Sequence, residues 1–396
     1  MCRLVKKLMS EIIKMNKSLP DNNMNDHMSD IKIVHCSSAH KRNDTRIFYK
    51  MCRTLRARGA EVYLVVADGL GDEIIEDVRI IDVGKPRSRV HRIIHASATV
   101  LEVAKKFNAN IYHLHDPELL IHVYKLKNSY SRVIFDSHED IPKQIQNKPY
   151  LGKFARIIIS KLISYIEIYV CKRLDAVIAA TPKILEKFEN SNILCCNINN
   201  YPNLEEIEVT TDFLNRANNI CYVGGVSKIR GAKEMVEAME FLSPDIKLKL
   251  AGPCYEKELI DHLKDLDGWS KVERIEFLDR EGVASLLNNS SVGLVTLQHT
   301  KSYQDSLPVK MFEYMSAGLP IVASNFDYWK ELLSKYNCAI FVDPNNPSEI
   351  AEAITYLLND RNLAKKMGLN GRFAVQEKFN WTDEYNKLEI FYKNIL

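Results

Sequence analysis

The sequence predicts an α/β protein with two Rossmann-like domains whose parallel sheets face a central cleft. Its 396 residues correspond to two or three domains at roughly 150 residues each. Short apolar runs alternate with helical patterns from residue 31 onward, which is typical of βαβ units and a parallel sheet. The alternation stops at the polar stretch Asn197–Asn219 and then restarts, so two consecutive α/β series are expected.

Local patterns predict each element of the first series. Thr45–Arg58 has the apolar spacing of an amphipathic helix and ends at Gly59, and Asp68 and Gly69 stop the strand that precedes them. The predicted strands are Ile31–His35, Glu61–Ala67, Arg79–Val83, Ile111–Leu114, Arg132–Phe135 and Ala176–Ala179, and the second helix is Arg89–Phe107.

The second series repeats this alternation. Its last helix, Ser348–Leu358, has clear start signals, because Asn346 can cap it and Pro347 takes the first helical position. The predicted strands are Ile220–Val223, Lys247–Ala251, Arg274–Leu278, Val292–Thr296, Pro320–Ala323 and Ala339–Val342, and the other helices are Ala232–Phe241, Lys257–Leu266, Gly282–Asn288 and Val309–Ala317. Ligands of such sheets bind beyond the carboxyl ends of the strands, so the loops there are expected to hold the site.

Composition and motifs exclude several classes of protein. No uncharged apolar run reaches 18 residues, so a membrane-spanning helix is not expected. Nine cysteines without a Cys-x-x-Cys pair favour a reducing cytosol. The first strand is followed by no glycine-rich dinucleotide fingerprint, and the chain has no Walker, H-E-x-x-H or G-x-S-x-G motif.

Charge is distributed unevenly along the chain. Residues 1–205 carry 32 Lys and Arg against 23 Asp and Glu, whereas residues 206–396 carry 22 against 28. A basic half suggests an anionic partner such as a membrane surface or phosphate groups, and an ordinary solvated surface is the alternative. Residues 1–28 are predicted to form a flexible basic extension.

The segment Asp305–Gly318 gives the strongest local signal for a binding site. A helix is expected to begin near Pro308, with Ser306 or its neighbours as the cap. The N–H groups at a helix N-terminus suit a diphosphate, and the carboxylates of Asp305 and Glu313 can accept hydrogen bonds from sugar hydroxyls. The alternative is that Glu313 is only a surface residue of the helix.

A second signal lies in Tyr222–Gly231, where a strand ends in Gly224 and Gly225. Two glycines allow the backbone to approach a ligand closely. Lys228 and Arg230 follow at once, and either could neutralise the phosphates of a leaving group. An isolated Gly-rich turn is otherwise more often structural.

Histidines end two strands of the first half. His113 and His115 point to one face of a strand, but no third ligand is evident at a suitable spacing, so no metal site is expected. His138 and Glu139 close the next strand, and together the two clusters suggest the wall of a cleft.

The loop Ser37–Arg46 after the first strand is rich in polar side chains. His40, Asp44 and Arg46 are expected to contact an acceptor or a phosphate, and an ordinary solvated loop is an equal alternative.

These segments resemble the glycosyltransferases of family 4, which have the GT-B fold, in the branch of bacterial surface-polysaccharide biosynthesis. Glu313–Val322 reads EYMSAGLPIV and is similar to the family's E-A-M-A-x-G-x-P-V-V context. The family has a second glutamate eight positions earlier, where this chain has Asp305. The resemblance extends over nearly the whole chain from about Ile31.

The resemblance implies roles for individual residues. Glu313 would hold the ribose hydroxyls, and Asp305 and His115 would be catalytic residues near the transferred sugar. The family segment V-G-R-x-x-x-x-K-G corresponds to Val223–Gly231, with glycine at the arginine position 225 and Arg230 at the lysine position. Lys228 or Lys310 could compensate for the missing cation. The predicted donor-binding residues are Gly224, Gly225, Lys228, Arg230, Ser306, Leu307, Pro308, Val309, Lys310 and Glu313.

The resemblance also implies the reaction and its partners. The chain is expected to be a retaining enzyme that transfers a sugar from a nucleotide sugar, expected to be UDP-linked, without a metal. Its acceptor would be an oligosaccharide or a lipid-linked saccharide of O-antigen or capsule assembly, and no nucleic acid is expected to bind. The alternatives are a non-catalytic sugar-nucleotide-binding protein and a GT-B-like sugar phosphorylase.

Domain bounds and location complete the predictions. An acceptor domain over residues 29–203 and a nucleotide-sugar domain over 204–378 are expected, with a helix over 379–396 that packs back on the first domain. The segment Lys148–Arg173 mixes basic and apolar residues. It could dock on an anionic membrane, or its apolar residues could simply pack against the sheet. A cytoplasmic location with peripheral contact to the inner face of the cell membrane is expected.

Overall fold

The computed structural model describes residues 28–126, 130–146, 152–207, 213–256 and 258–396. Their strands form one sheet of eight and one of six. The strands are β1 Lys32–Cys36, β2 Glu61–Val66, β3 Glu73–Ile75, β4 Val78–Asp82, β5 Ile111–Leu114, β6 Arg132–Ser137, β7 Ala176–Ala179, β8 Cys195–Asn197, β9 Asn219–Val223, β10 Lys247–Ala251, β11 Val272–Ile275, β12 Val292–Val295, β13 Ile321–Ser324 and β14 Ala339–Val342.

Helices connect most of these strands, as expected for parallel sheets. The α-helices are α1 Arg53–Ala57, α2 Arg89–His91, α3 Ser97–Lys105, α4 Ile141–Gln146, α5 Lys153–Cys171, α6 Pro182–Glu189, α7 Ala232–Ala238, α8 Leu259–Lys264, α9 Arg280–Asn288, α10 Lys301–Gln304, α11 Val309–Ser316, α12 Asp327–Leu333, α13 Pro347–Asn359, α14 Arg361–Glu377 and α15 Trp381–Ile395. π-helical segments, Thr45–Cys52 and Arg92–Ala96, lead into α1 and α3.

The first sheet has the strand order β3-β4-β2-β1-β5-β6-β7-β8. Its described pairs are parallel except for β3, which pairs with β4 in antiparallel register. β5 and β7 are buried along their whole length, since both faces of such a sheet are covered, and this burial explains the unbroken apolar run of β7.

The second sheet has the order β11-β10-β9-β12-β13-β14, and all of its pairs are parallel. Chain order reverses on the two sides of β9, because β10 pairs on one side and β12 on the other. A reversal of this kind opens a crevice beyond the carboxyl end of the strand, where ligands of open α/β sheets bind. The residues that follow β9 are therefore the first place to look for a ligand site.

Most predicted elements are confirmed, and several need correction. The strand predicted over Arg274–Leu278 is β11, which begins and ends earlier at Val272 and Ile275. The short strands β3 and β8 were not predicted, and the predicted single helix Thr45–Arg58 begins as a π-helical segment. Some predictions fall outside the described residues. They concern residues 1–27 of the predicted extension, Lys148, and the predicted helix start at Lys257.

The described chain separates into two compact units, one up to His113 with Tyr124–Ser131 and one of Leu114–Val123 with Arg132–Leu396. Within the second unit, the backbone N–H of Asn199 donates to Glu384 of α15 at 2.8 Å. The bounds 29–203, 204–378 and 379–396 stay predictions. Among the helices that the structure describes, none combines the length and hydropathy needed to cross a bilayer.

Candidate active site

The carboxyl end of β9 is shaped by two glycines. Gly224 has a φ of +130°, a backbone conformation that disfavours a side chain. The hydroxyl of Tyr222 donates to the carbonyl of Gly225 at 2.8 Å, and the N–H of Val223 donates to the Tyr314 hydroxyl at 2.8 Å. These bonds fix the end of β9 against α11.

Arg230 fills the space beside Gly225. Its Nη1 donates to the Gly225 carbonyl at 3.3 Å, and its Nε donates to the Tyr303 hydroxyl at 3.4 Å. A Cβ atom added to Gly225 would lie 2.7 Å from Arg230 Nη1. Any side chain at position 225 would therefore displace the guanidinium group.

Lys310 approaches the same glycines from the first turn of α11. Its Nζ lies 3.7 Å from the ring centroid of Tyr222, and a Cβ added to Gly224 would lie 2.9 Å from it. Burial lowers the pKa of Lys310 well below its ordinary value, and the charge of Arg230 lowers it further. By contrast, the side chain of Lys228 is exposed, and its backbone N–H donates to Glu256.

Glu313 lies one turn further along α11 and is 6% exposed. Nη1 of Arg280, the first residue of α9, donates to Glu313 Oε1 at 2.7 Å, and Arg280 also forms an ion pair with Glu206. Burial lowers the pKa of Arg280, but the two carboxylates raise it by more, so it lies above its ordinary value. Glu313 is thus a buried carboxylate held by an arginine and is not a surface residue of its helix.

The residues that precede α11 differ in part from expectation. Ser306 does not cap the helix, because α11 begins at Val309 with Pro308 in the cap position, and the Ser306 hydroxyl instead donates to the carbonyl of Tyr303 at 2.9 Å. Pro308 takes the position before the first turn without a side-chain cap, and Leu307 and Val309 flank it. The first N–H groups of a helix have no partner within it, so the N-terminus of α11 retains its capacity to bind an anion.

Asp305 forms an ion pair with a residue far away in the sequence. Nζ of Lys143, in α4, donates to Asp305 Oδ2 at 2.7 Å. Burial lowers the pKa of Lys143, but Asp305 and Asp140 raise it by more, so it lies above its ordinary value. Asp305 also lines a cavity of about 380 Å³ with Asn325, whose Oδ1 is buried and has no partner among the described residues.

His115, Asp136 and His138 form a buried cluster in the second unit. Asp136 Oδ2 lies 3.0 Å from His138 Nε2 and 3.4 Å from His115 Nδ1, and the two nitrogens are 3.1 Å apart. Such atoms could hold a metal ion, but this set does not include His113, so the expectation of no metal site at the pair His113 and His115 stays a prediction. Glu139 beside them accepts a hydrogen bond from Gln144.

The loop after β1 lies in the first unit. Oδ1 of Asp44 accepts from the N–H groups of Arg46 and Ile47 at 2.8 and 3.0 Å, so Asp44 caps the helical segment that follows. The N–H of His40 donates to the Ser37 hydroxyl at 2.9 Å. Arg42 is buried and paired with Asp68 at 2.8 Å, which fixes the loop.

Sequence reasoning missed several partners of the predicted residues. These partners belong to no sequence motif and lie far along the chain from the groups that they contact. They are Arg280, Glu206, Lys143 and Tyr303. The available signal was weak: Arg280 begins a helix capped by Asp279, beyond the end of a strand in the same sheet.

Two family models match the chain. The model described as "Glycosyltransferase Family 4" matches residues 45–193, and the one described as "Glycosyl transferases group 1" matches residues 203–373. The two matches lie one after the other and cover parts of both α/β series.

Curated relatives match part of the chain. An uncharacterized glycosyltransferase of Methanocaldococcus jannaschii is 28% identical over 192 residues, which are 46% of this chain and 47% of that protein. The capsular polysaccharide biosynthesis glycosyltransferase CapM of Staphylococcus aureus is 23% identical over 180 residues, 45% of this chain and 46% of that protein. The chain thus spans about half the length of the curated relatives that it matches.

Solved structures are similar over more of the chain. Sucrose-phosphate synthase from Thermosynechococcus elongatus has a TM-score of 0.74 at 18% identity and covers 92% of this chain and 99% of its own. HepE of Anabaena in complex with UDP-glucose has a TM-score of 0.68 at 14% identity, with 92% and 100% covered. At these identities the likeness concerns the fold. Because the two family models together match most of the chain, over residues 45–193 and 203–373, the chain belongs to the family 4 glycosyltransferases.

Proposed function

We propose that the chain transfers a sugar from a nucleotide-sugar donor, expected to be UDP-linked, to a saccharide acceptor with retention of anomeric configuration. One observation carries this proposal. Two basic side chains, Arg230 and Lys310 of the first turn of α11, approach Gly224 beyond the carboxyl end of β9, and the buried carboxylate of Glu313 lies on the same helix as Lys310. This arrangement suits a nucleoside diphosphate, whose phosphates need positive charge and whose ribose offers two hydroxyls.

Electrostatic stabilisation of the leaving group would supply most of the rate enhancement. Negative charge develops on the diphosphate as the bond to the sugar breaks, and Arg230 and the N–H groups of α11 would stabilise it. The two carboxylates described there, Asp305 and Glu313, are held in ion pairs by Lys143 and Arg280, which makes neither a favourable nucleophile for a double displacement. Attack from the same face as the departing diphosphate therefore accounts best for retention, with a leaving-group oxygen accepting the acceptor proton.

Asp305 and Lys143 would position the sugars. Their ion pair places a carboxylate and an ammonium group beside the cavity that Asn325 lines. Sugar hydroxyls both donate and accept hydrogen bonds, so the pair can contact either the transferred sugar or the acceptor. The catalytic role of His115 and the acceptor roles of His40, Asp44, Arg46, His138 and Glu139 stay predictions.

A thermal-stabilisation screen of nucleotide sugars tests the donor proposal. A ligand at 100 times its dissociation constant stabilises the folded state by roughly 2.7 kcal/mol, which raises the melting temperature measurably. We expect UDP and one or more UDP-sugars to raise it and uridine to have little effect. The absence of any shift with all nucleoside diphosphates and their sugars would contradict the proposal.

The acceptor is proposed to be a lipid-linked saccharide of O-antigen or capsule assembly, taken at the inner face of the cell membrane. The helix α5 supports this location, because residues Phe154, Ile158, Leu162, Tyr165 and Tyr169 form an exposed apolar stripe along it. Lys161, Lys172 and Arg173 are exposed beside the stripe, and each contributes roughly 1 kcal/mol near an anionic leaflet. The name of the CapM relative, a capsular polysaccharide glycosyltransferase, agrees with such an acceptor.

A further inference from the structure

The side-chain amine of Lys310 receives no hydrogen-bond acceptor from the described residues around it. Its Nζ is buried, and no described residue forms a hydrogen bond with it. The face of Tyr222 at 3.7 Å gives a cation–π contact, which replaces only part of the lost hydration. A buried ammonium group without a hydrogen bond is costly, so this position favours a ligand that accepts one.

The charges around Lys310 indicate whether that ligand is an anion or a cation. Arg230 is its cationic neighbour, since both groups approach the added Cβ position of Gly224, Nζ at 2.9 Å and Nη1 at 3.8 Å. Glu313 is the acidic residue that acts on Lys310, but its Oε1 is committed to Arg280. Arg230 and the amine of Lys310 beside Gly224, with the carboxylate of Glu313 engaged by Arg280, form a site for an anion with more than one charge, and such an anion would hold Lys310 in its protonated form.

We propose that Lys310 is the second diphosphate-binding cation of this chain and does the work of the arginine that the family motif has at position 225. The inference rests on the proposed function, because it assumes a nucleoside diphosphate in this site. Both Lys228 and Lys310 were candidates from the sequence. The exposed side chain of Lys228 and the buried, unpartnered Nζ of Lys310 favour Lys310.

Gly225 explains why the cation comes from another element. A side chain at 225 would begin 2.7 Å from Arg230 Nη1, so the Arg230 guanidinium would have to leave its present position to make room for one. With glycine there, the Arg230 guanidinium lies against the Gly225 carbonyl and leaves the side of Gly224 to Lys310. The second positive charge is thereby supplied by α11 and not by the loop after β9.

Calorimetric titration with UDP, UMP and inorganic pyrophosphate tests this assignment. We expect Lys310→Met to weaken binding of UDP and pyrophosphate about 10- to 100-fold, as expected when a hydrogen bond to a charged group is lost. UMP should lose less because it lacks the second phosphate. Lys228→Met tests the other candidate and should weaken UDP binding less than Lys310→Met does. Lys233→Met, which removes a surface ion pair with Glu237, is the control and should leave UDP affinity within about twofold.

The outcomes separate this inference from the proposed function. If the wild type binds UDP and Lys310→Met binds it with the same affinity, the assignment of Lys310 is overturned and the proposed function is not. A larger loss of affinity in Lys228→Met than in Lys310→Met has the same consequence. A wild-type chain that binds neither UDP nor pyrophosphate overturns both. Should Lys310→Met fail to fold, Lys310→Gln keeps a polar chain at this position, and its UDP affinity is expected to fall by a similar factor.

Discussion

At the scale of single residues, the orientation of Glu313 depends on Arg280. The guanidinium group bridges Glu313 and Glu206, and these two carboxylates keep it charged. A carboxylate with one oxygen bound in this way presents a defined edge to a ligand. Arg280 is therefore a positioning residue for the proposed ribose contact.

Replacement of Arg280 tests this role. We expect Arg280→Met to raise the KM for the nucleotide sugar about tenfold with a smaller change in kcat, since ribose binding contributes mainly to donor affinity. Steady-state kinetics with the donor and its 2′-deoxy analogue measure this. The wild type should discriminate between the two donors, and the variant should do so less. Lys249→Met, which removes an exposed ion pair with Glu273, is the control. Unchanged discrimination in Arg280→Met would contradict the role.

The position of a site residue was predictable from the sequence where a single short motif contains the residues that indicate it. Glu313 and Arg230 stand within single motifs, and the structure places both beside the glycines or on the helix expected from them. Lys143 is 162 residues from Asp305 and Arg280 is 33 residues from Glu313, so only the folded chain brings these partners together. The predicted cap at Ser306 was wrong because the helix begins at Val309, so that Pro308 takes the cap position and Ser306 precedes it by two residues.

At the scale of elements, α5 has an inverted amphipathic pattern. Its buried side holds Ser160 and Glu167, which bond to the Pro142 carbonyl and to Lys187. Its exposed side is apolar, with Phe154 84% and Leu162 55% exposed. The alternative that the apolar residues of this segment simply pack against the sheet does not account for this exposure. An exposed apolar stripe with basic neighbours is typical of a helix that lies at a membrane interface.

Vesicle co-sedimentation tests α5 as the membrane contact. We expect the chain to sediment with phosphatidylglycerol vesicles at low salt, less at high salt, and not with phosphatidylcholine vesicles. Leu162→Glu should reduce this binding at least several-fold, because it places a charge in the stripe without disturbing a buried contact. Tyr356→Glu, at an exposed residue of α13, is the control. Equal sedimentation of the two variants would show that α5 is not the contact.

Elements were predictable in proportion to their length and burial. β5, β7 and β10 have the predicted bounds, because continuous or alternating apolar residues mark strands that the sheet covers. β3 and β8 contain three residues each, too few to show a period, and the residues of β3 are mostly exposed. Such short strands are recognisable only from their partners in the sheet.

At the scale of the whole molecule, the positive charge proposed to bind the donor comes from side chains and a helix N-terminus, both next to the second sheet. Arg230, Lys310 and α11 would neutralise the donor diphosphate there. The cluster of His115, Asp136 and His138 at the ends of β5 and β6 offers ligand atoms for a metal, but the proposed diphosphate contacts do not include it. Activity is therefore predicted not to require a divalent ion.

Chelation tests this independence. We expect prolonged dialysis against EDTA to leave the rate of UDP release within about twofold, since the leaving group is neutralised by side chains and helix N–H groups. Elemental analysis of the dialysed chain establishes that it is metal-free. A large loss of activity that Zn²⁺ or Mg²⁺ restores in wild type, but not in His138→Ala, would assign a functional metal to the cluster.

The central claim, that Glu313 acts on a nucleotide-sugar donor, is tested most directly by UDP release in Glu313→Ala with thermal unfolding measured in parallel. We predict that kcat/KM falls about 100-fold or more, as for the loss of a preorganised polar contact in an active site. The melting temperature should fall by only a few degrees, which corresponds to roughly 1 kcal/mol. Glu313→Gln, which preserves volume, should lose activity with a still smaller change in stability. Unchanged turnover in Glu313→Ala, or activity lost only in proportion to folded protein, would contradict the account.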